Sequence, residues 1–522
     1  MTTRRTWDTV VVGAGLGGLT AGATLAQRGR DVLVLERHSI PGGCATTFDR
    51  GDFEFEVSLH EIEGLDEHDP KRAILEDLGV FDALSFEPVD DLYRYTHGET
   101  DLVVPHGVDA AIDALTTAFP HEERGIQRFF RVLTDLRSSL ASLSRTGDFS
   151  LPQFLKIPFE HRTFFRYRNA TLGEFLDEII EDDELKLVLT GNLGYYHDDP
   201  YSLSLPYYAA GQGGYFIGGG HYITGGSIEL SEYLVECIED HGGRVALERR
   251  VTDLHVEDGS ITEVVHHPSR PGSRQTATGP VATPSDPGEV RTERAEYVIA
   301  NAAIPLVASQ LLPDPYGQQL AAQFDGWEYA PSITTLYLGF DRPPGNLGTD
   351  HYTTVLTNPG VEDLGDAIRG RQGSFGTRSL NFVDYSQLEA DLGPSGAAVG
   401  ALSTLDYESE WTGLTDTEYR EKKARVTDVL LRRLGDAYPR LPDAVSHAEL
   451  ATPQTIRRFT LNPGGTAYGF AQTPEQSMLS RRIEAPVPNL GFASAWTFPG
   501  GGFTGAIMAG SRAAHQRLDR TA

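Results

Sequence analysis

Cysteine, lysine and long apolar runs are scarce in this chain of 522 residues. Its two cysteines, Cys44 and Cys237, exclude a disulfide framework and a cysteine-rich metal site, and they suit a reducing compartment. The longest apolar stretch, from Val10 to Ala26, is too short to span a membrane comfortably and contains five glycines. We therefore expect a soluble, cytoplasmic protein.

Basic residues are also few relative to acidic ones. The chain has 44 lysines and arginines and 74 aspartates and glutamates, which gives a net charge of −30 at pH 7. Such a surface repels nucleic acid, so we expect no nucleic-acid partner. Only five of the basic residues are lysine, a balance that favours a protein of a high-salt cytoplasm over an ordinary acidic enzyme. Hydrophobic residues at 39% and charged residues at 23% are typical of a folded globular chain.

The N-terminus contains a strand–helix–strand pattern over residues 8–36. The turn after the first strand matches G-x-G-x-x-G and consists of Gly13, Ala14, Gly15, Leu16, Gly17 and Gly18. Gly13 permits the tight turn, Gly15 lets a pyrophosphate approach the backbone, and Gly18 lets the helix pack on the strand. Glu36 follows the second strand, where an acid accepts hydrogen bonds from a ribose hydroxyl. A glycine-rich packing turn is the alternative, but this order of elements predicts a dinucleotide site.

A second glycine segment, Pro41-Gly42-Gly43, distinguishes between dinucleotides. Two glycines there let a loop pass close to a bulky ligand without a side-chain clash. FAD extends beyond its pyrophosphate toward the flavin and needs such a loop, so the segment favours FAD over NAD.

The C-terminal segment Gly500–Gly505 also matches G-x-G-x-x-G. A second dinucleotide site is one interpretation, but the chain ends at Ala522 without the second strand and the acid that such a site requires. We interpret the segment as a glycine turn that directs the N-terminus of the last helix at the flavin ring, where the helix dipole stabilises negative charge.

A further glycine-rich segment, Gly219–Ser227, precedes a predicted helix near Ile228. Together with the two terminal motifs it resembles the phytoene desaturase–carotenoid isomerase–retinol saturase family of flavoproteins. The resemblance implies an α/β flavoprotein with an FAD-binding Rossmann-like domain and an inserted α+β substrate domain. It implies an FAD-binding domain made of residues 1–73, 214–301 and 456–522, and a substrate-binding domain made of residues 74–213 and 302–455. Residues 266–293, rich in Pro, Ser, Thr and Gly, are predicted to form a flexible surface loop.

The resemblance also implies which residues hold the cofactor. The cofactor-binding residues that it implies are Gly13, Ala14, Gly15, Gly17, Gly18, Glu36, Arg37, Gly42, Gly43, Val251, Gly501, Gly502 and Phe503. His60, His221 and Tyr222 lie beside the matched segments and are candidate acids or bases, although each is more often structural. His197, Asp198 and Asp199 match no metal-ligand spacing, so we expect no metal site.

The implied activity is FAD-dependent redox chemistry on the carbon–carbon bonds of an apolar isoprenoid polyene, of the carotenoid desaturase or saturase type. Electrons would pass to or from a quinone, oxygen or a protein carrier. Flavin-dependent cis–trans isomerisation of a carotenoid is one alternative, a non-catalytic prenyl-binding carrier on the same fold is another, and an amine oxidase is a weaker third. Aromatic and basic residues alternate over Phe154–Arg168, a pattern that suits peripheral membrane contact as well as a helix that caps the domain core.

Overall fold

The computed structural model describes residues 5–145, 160–269, 289–390, 392–479 and 481–520. The strands are β1 (Thr6–Val12), β2 (Val32–Leu35), β3 (Thr47–Arg50), β4 (Phe53–Glu56), β5 (Ile62–Glu63), β6 (Phe86–Val89), β7 (Asp91–His97), β8 (Thr100–Pro105), β9 (Gly220–Ile223), β10 (Arg244–Ala246), β11 (Arg249–Glu257), β12 (Ser260–Pro268), β13 (Arg291–Ala300), β14 (Ser332–Phe340), β15 (Thr353–Leu356), β16 (Leu380–Asp384), β17 (Ala398–Asp406), β18 (Val445–Ala451) and β19 (Leu490–Phe492). The helices are α1 (Leu16–Gln27), α2 (Pro70–Asp77), α3 (Val80–Ala83), α4 (Val108–Ala118), α5 (Glu123–Arg145), α6 (Arg162–Tyr167), α7 (Leu172–Ile179), α8 (Asp183–Leu189), α9 (Leu205–Gly218), α10 (Ser227–Asp240), α11 (Ile304–Leu306), α12 (Tyr316–Ala321), α13 (Leu364–Arg371), α14 (Asp416–Ala437), α15 (Pro453–Thr460) and α16 (Gly502–Asp519).

The N-terminal strand lies in the middle of a first sheet with the order β10-β2-β1-β13-β12-β11, in which β19 also pairs with β13. The strands β10, β2, β1, β13 and β19 run parallel, and β11 and β12 form an antiparallel hairpin. Side chains alternate between the two faces of these strands. Val11, Val34 and Ile299 therefore join a core with α1, α10 and α16, and the neighbouring residues of the same strands join a core on the opposite face. Burial on both faces explains the continuous apolar runs.

Glycines let α1 pack in backbone contact with α16 and with the segment that follows β19. A Cβ atom on Gly17 would lie 1.9 Å from the carbonyl oxygen of Ala493, and one on Gly510 would lie 2.2 Å from the carbonyl oxygen of Gly17. The first helix and the last helix of the described residues are thereby held side by side, so that both N-termini lie near the same edge of the first sheet.

A second sheet has the order β18-β14-β17-β16-β15-β7-β8. Its strands pair antiparallel except for β15 and β7, which pair in parallel. One face packs on α14 around Leu402, Leu430 and Trp411. Helices α4 to α9 form a separate core beside β7. A small third sheet has the order β5-β9-β6, and α9 and α16 both contact its strand β5.

Several predicted elements differ from those observed. The sequence predicts one helix over residues 172–189, but the structure has two, because Asp182 begins a second helix by accepting a hydrogen bond from the backbone N–H of Leu185. The sequence also predicts a strand over residues 489–497, but only β19 forms, since the chain turns at Ser494, whose carbonyl accepts from the backbone N–H of Thr497.

Two predicted surface segments fall partly outside the described residues. Residues 270–288 of the predicted flexible loop do so, while its two ends belong to β12 and β13, in which His266 pairs with Arg291. Residues 154–159 of the predicted membrane-contact segment also lie outside, and α6 follows them. None of the helices in the described parts of the chain is both long and apolar enough to cross a bilayer.

Candidate functional site

A cavity of about 870 Å³ runs from the N-terminus of α1 to the N-terminus of α16 and continues along the second sheet. This volume lies in the upper part of the range of ligand pockets, roughly 300–1,000 Å³. Gly13, Gly15 and Glu36 line one part of the cavity, and Gly501 and Phe503 line another. The cavity therefore brings together glycine motifs from both ends of the chain.

The first glycine turn and the Pro41–Gly43 loop are joined by backbone contacts. The N–H of Gly42 donates to the carbonyl of Ala14 over 2.8 Å, and Gly43 lies so close to Gly15 that a Cβ on Gly43 would be 3.3 Å from its Cα. Gly13 and Gly42 have φ angles of +100° and +102°, which side chains other than glycine rarely adopt. The two segments form one backbone-lined cradle.

Glu36 lies at the edge of this cradle. One carboxylate oxygen accepts from the backbone N–H of Ala14 and the other from the backbone N–H of His38, each over 2.8 Å. The side chain is buried and lines the cavity. Each carboxylate oxygen has a second lone pair, so both ribose hydroxyls of an adenosine can donate to this residue.

These residues fit FAD. The N-terminus of α1 carries no side-chain cap, so its free N–H groups and dipole suit a pyrophosphate in the cradle. Side chains at Gly13, Gly15, Gly42 and Gly43 would narrow that cradle. Bound FAD would supply a two-electron redox centre, and this chain supplies the cradle, the ribose acceptor Glu36 and the surrounding walls.

The predicted residues Arg37 and Val251 lie beside the cradle. Arg37 donates to the backbone carbonyls of Arg458 and Phe459, and burial lowers its pKa to about 10. Val251 lies on β11 at an irregularity in the pairing with β12, and it lines the cavity. An irregular strand leaves backbone groups available to a ligand, which suits the backbone contact with adenine that the family resemblance implies for Val251.

The C-terminal glycines shape the other part of the cavity. A Cβ on Gly501 would lie 2.7 Å from the carbonyl oxygen of Tyr468, and Gly502 has a φ angle of +82°. Gly502 begins α16, which has no side-chain cap at its N-terminus. The hydroxyl of Thr504, in the first turn of α16, donates to the carboxylate of Glu63. The helix N-terminus thus borders the cavity, as predicted for the flavin end.

His60 is the one predicted catalytic candidate that lines the cavity. Its Nδ1 lies 2.8 Å from the hydroxyl of Tyr195, and burial lowers its pKa to about 4. The ring is therefore neutral near pH 7. Tyrosine hydroxyls also hold the backbone around it: Tyr352 donates to the carbonyl of His60, and Tyr385 donates to that of Leu59 over 2.8 Å.

His221 and Tyr222 lie elsewhere. Both belong to β9, the middle strand of the small third sheet, and neither lines the cavity. Tyr222 is fully buried and packs edge-on against Tyr385, with ring centroids 5.6 Å apart. Although the neighbouring glycine segment is part of the family resemblance, these two side chains lie on opposite faces of β9, and neither lines the cavity.

The sequence interpretation missed several polar groups of the cavity wall. These are Glu61, Glu63, Arg137, Tyr195, Tyr207, Tyr215 and Tyr468. Glu61 and Glu63 flank the buried Ile62, the first residue of β5, and residues two apart in an extended segment share a face. That alternation was a usable signal for two carboxylates on one wall.

Among the described residues there is no group of three or more His, Cys, Asp or Glu side chains that would hold a metal ion. The segment Tyr195–Asp199 instead forms a polar cluster. Asp198 accepts from the hydroxyl of Tyr407, and its carboxylate lies 2.9 Å from Nδ1 of His197. Arg371 donates to the backbone carbonyl of Asp198 and lines the cavity.

Comparison with known proteins gives matches over nearly the whole chain. The residue pattern of the flavin-containing amine oxidoreductase family matches residues 16–516. All-trans-retinol 13,14-reductase of Danio rerio is 26% identical, over 97% of this chain and 85% of the relative. Prolycopene isomerase 1 of an Oncidium hybrid is also 26% identical, over 98% of this chain and 83% of the relative. The solved structure of cyclohexylamine oxidase from Brevibacterium oxydans shares the fold, with a TM-score of 0.62 at 17% identity over 99% of this chain and all of that one (100%).

Proposed function

Because the chain belongs to the flavin-containing amine oxidoreductase family, we propose that it is an enzyme that uses FAD to oxidise or reduce the carbon–carbon bonds of an apolar isoprenoid polyene. Desaturation removes two hydrogens from adjacent carbons, and saturation adds them. The relatives named as retinol reductase and prolycopene isomerase support a polyene substrate.

The comparisons confirm several predictions made from the sequence. The family resemblance, the α/β flavoprotein fold, the FAD cofactor and the assignment as an FAD-dependent oxidoreductase all agree with the matches. The individual cofactor-binding residues and the domain boundaries remain proposals.

The proposed domain division is supported by strand pairing. β7 comes from the first proposed substrate-domain segment and β15 from the second, and the two pair in one sheet. The parallel strands of the first sheet come from the three segments of the proposed FAD-binding domain, since β1, β13 and β19 pair side by side.

The observation that carries the substrate proposal is a group of apolar side chains that line the cavity and are partly exposed at the surface. They are Leu140, Ala141, Phe164 and Ile217, and they come from α5, α6 and α9. The first three are half-buried, and Ile217 is 42% exposed. A cavity that reaches the surface between apolar side chains suits an insoluble hydrocarbon chain better than a charged amine.

The decisive assay is anaerobic. Oxidised enzyme mixed with a partly saturated carotenoid precursor should bleach its flavin absorbance while the product gains conjugated double bonds. Chemically reduced enzyme mixed with a polyene tests the saturating direction by the reverse changes. Bleaching by amines but by no polyene would contradict the proposal.

The alternatives give different results in the same assay. A cis–trans isomerase, reduced beforehand, would convert a cis polyene to the trans form with no change in its flavin spectrum. A non-catalytic prenyl carrier would purify without colour and bind a polyene unchanged. For the redox enzyme, we propose a quinone, oxygen or a protein carrier as the second electron partner.

We also propose that α6 contacts the lipid surface from which an insoluble substrate enters. Phe164 and Phe165 are half-buried there, and exposed arginines alternate with them. Wild-type protein should float with phosphatidylcholine liposomes, and floated protein should fall several-fold when Phe164 and Phe165 are both replaced by serine. Val290, which is 53% exposed outside the cavity lining, provides the control substitution Val290→Ser.

This flotation experiment is best run in molar KCl, where the Debye length of roughly 3 Å screens the acidic surface. FAD content and the thermal midpoint should be equal in all three proteins. If wild type never floats, or if Val290→Ser loses flotation equally, α6 is a helix that caps the core.

A further inference from the structure

Two buried polar atoms meet without a hydrogen bond beside the cavity, which Glu61 lines and His106 does not. Oε2 of Glu61 and Nε2 of His106 lie 3.5 Å apart, and neither has a hydrogen-bond partner among the described residues. The side chain of Glu61 is only 1% exposed, and that of His106 is 10% exposed. Unpaired buried polar atoms are costly, so their placement needs an explanation.

The tautomer of His106 explains why these two atoms lie together. Nδ1 of His106 lies 3.1 Å from the carbonyl oxygen of Tyr215. A carbonyl only accepts hydrogen bonds, so Nδ1 carries the proton, and in the neutral ring Nε2 presents a lone pair. A lone pair facing an ionised carboxylate would be repulsive. The contact is favourable only when one additional proton lies between Glu61 and His106.

The residues around Glu61 and His106 leave space for this pair of side chains. A Cβ atom on Gly220 would lie 1.7 Å from Oε2 of Glu61 and 3.1 Å from Nε2 of His106, so only glycine there leaves room for the pair. Burial raises the pKa of Glu61, and the neighbouring His106 opposes that rise. The other titratable groups that face the pair are Glu63, Tyr195, Tyr215, His221 and Tyr352.

We propose that Glu61 donates the proton to the substrate carbon during saturation and takes it during desaturation, and that His106 positions Glu61 for this transfer. The proposal rests on the proposed function. In saturation, bound reduced FAD would supply the hydride for one carbon of the double bond, and Glu61 gives its proton to the neighbouring carbon. The double bond becomes a single bond, its two electrons would come from the cofactor, which would be left oxidised, and the Glu61 carboxylate regains its proton from water. Desaturation is the reverse.

His60 is less suited to this transfer. Its Nδ1 faces the hydroxyl of Tyr195, and with a pKa lowered to about 4 it holds no exchangeable imidazolium proton near pH 7. Glu63 is also unsuited, because its carboxylate accepts from the hydroxyl of Thr504. Among these neighbouring groups, the Glu61–His106 pair is the one whose geometry requires a proton.

The first test uses infrared spectra of the FAD-loaded protein without substrate. Wild type should show a protonated carboxyl band that shifts in D₂O and disappears in Glu61→Gln. Glutamine keeps the size of the side chain, and its amide can donate to Nε2 of His106. His106→Gln should shift the band, and the matched control Glu63→Gln should retain it. A Glu61→Gln spectrum that keeps every protonated carboxyl band of wild type overturns the proposal.

The second test follows the reaction. General acid–base catalysis contributes roughly 100-fold to 10,000-fold, so Glu61→Gln should lose that much of the turnover rate at equal FAD content. In the pH profile of kcat, the ionisation of the Glu61–His106 pair should shift in His106→Gln and be absent in Glu61→Gln. A Glu61→Gln enzyme with wild-type turnover and pH profile also overturns the proposal. If wild type converts no polyene, the proposed function fails, and the infrared band alone decides whether Glu61 holds the proton.

Discussion

Replacing Gly15 by valine should yield a colourless protein that no longer retains FAD. Gly15 is the N-cap residue of α1, and its backbone forms the cradle together with Gly42 and Gly43. Valine would place three carbon atoms where the pyrophosphate must approach the helix N-terminus. Wild type should purify yellow and release FAD on denaturation, as measured by the absorbance and chromatography of the released flavin.

The protein should still fold without its cofactor. A Cβ on Gly15 would lie 2.7 Å from Nδ2 of Asn301, which is the far end of a side chain that can rotate away, and Gly15 has an extended backbone with φ of −71°. Gly376→Val is a matched control, because Gly376 is exposed and a Cβ there meets nothing closer than 3.5 Å. The control should stay yellow. Gly15→Val protein that binds stoichiometric FAD, or wild type that releases FMN, would refute the cofactor-site assignment.

The cofactor cradle was predictable because its determinants are local in sequence. The strand, the glycine turn and the helix of residues 8–36 follow from apolar runs and from backbone conformations that only glycine adopts readily. Gly42 illustrates this, since its φ is +102° and a Cβ would lie 2.0 Å from the carbonyl of Ala45. A sequence pattern identifies such a position without knowledge of the rest of the fold.

The polar wall of the cavity depends on contacts between distant parts of the chain. Thr504 and Glu63 are 441 residues apart, and His106 meets Glu61 only because β9 brings Gly220 beside both. His221 and Tyr222 show the converse: they adjoin the glycine segment of the family resemblance, yet both belong to β9 and neither lines the cavity. Proximity to a motif in sequence does not determine whether a side chain reaches the cavity.

The second large effect concerns stability rather than chemistry. Asp406 is fully buried at the end of β17, and its carboxylate accepts hydrogen bonds from four groups. The donors are Thr334 Oγ1 at 2.5 Å, Trp411 Nε1 at 2.7 Å, Arg378 Nη1 at 2.9 Å and the backbone N–H of Tyr407 at 2.9 Å. The side chain of Arg378 is only 2% exposed. A single carboxylate therefore neutralises a buried cation and joins β14, β17 and the segment before α14.

Asp406→Ala should lower the free energy of unfolding by about 3–5 kcal/mol, because it leaves the Arg378 guanidinium buried without its charge partner. This loss is a large part of the roughly 5–15 kcal/mol that is the typical free energy of unfolding of a protein. The measurement is urea unfolding of FAD-saturated protein, followed by tryptophan fluorescence. Asp101→Ala is the control, since it breaks an ion pair with Arg94 in the same sheet. The Asp101 side chain is 54% exposed. Exposed pairs contribute about 0–1 kcal/mol.

A double variant separates the buried charge from simple loss of packing. Arg378→Met with Asp406→Leu removes both charges and keeps apolar volume, so it should recover part of the stability that Asp406→Ala loses. The recovery should be incomplete, because the hydroxyl of Thr334 and the indole N–H of Trp411 lose their acceptor in both variants. If Asp406→Ala is as stable as Asp101→Ala, the ion pair does not hold this sheet together. If the double variant is less stable than Asp406→Ala alone, the loss comes from the hydrogen bonds and the packing rather than from the unpaired guanidinium.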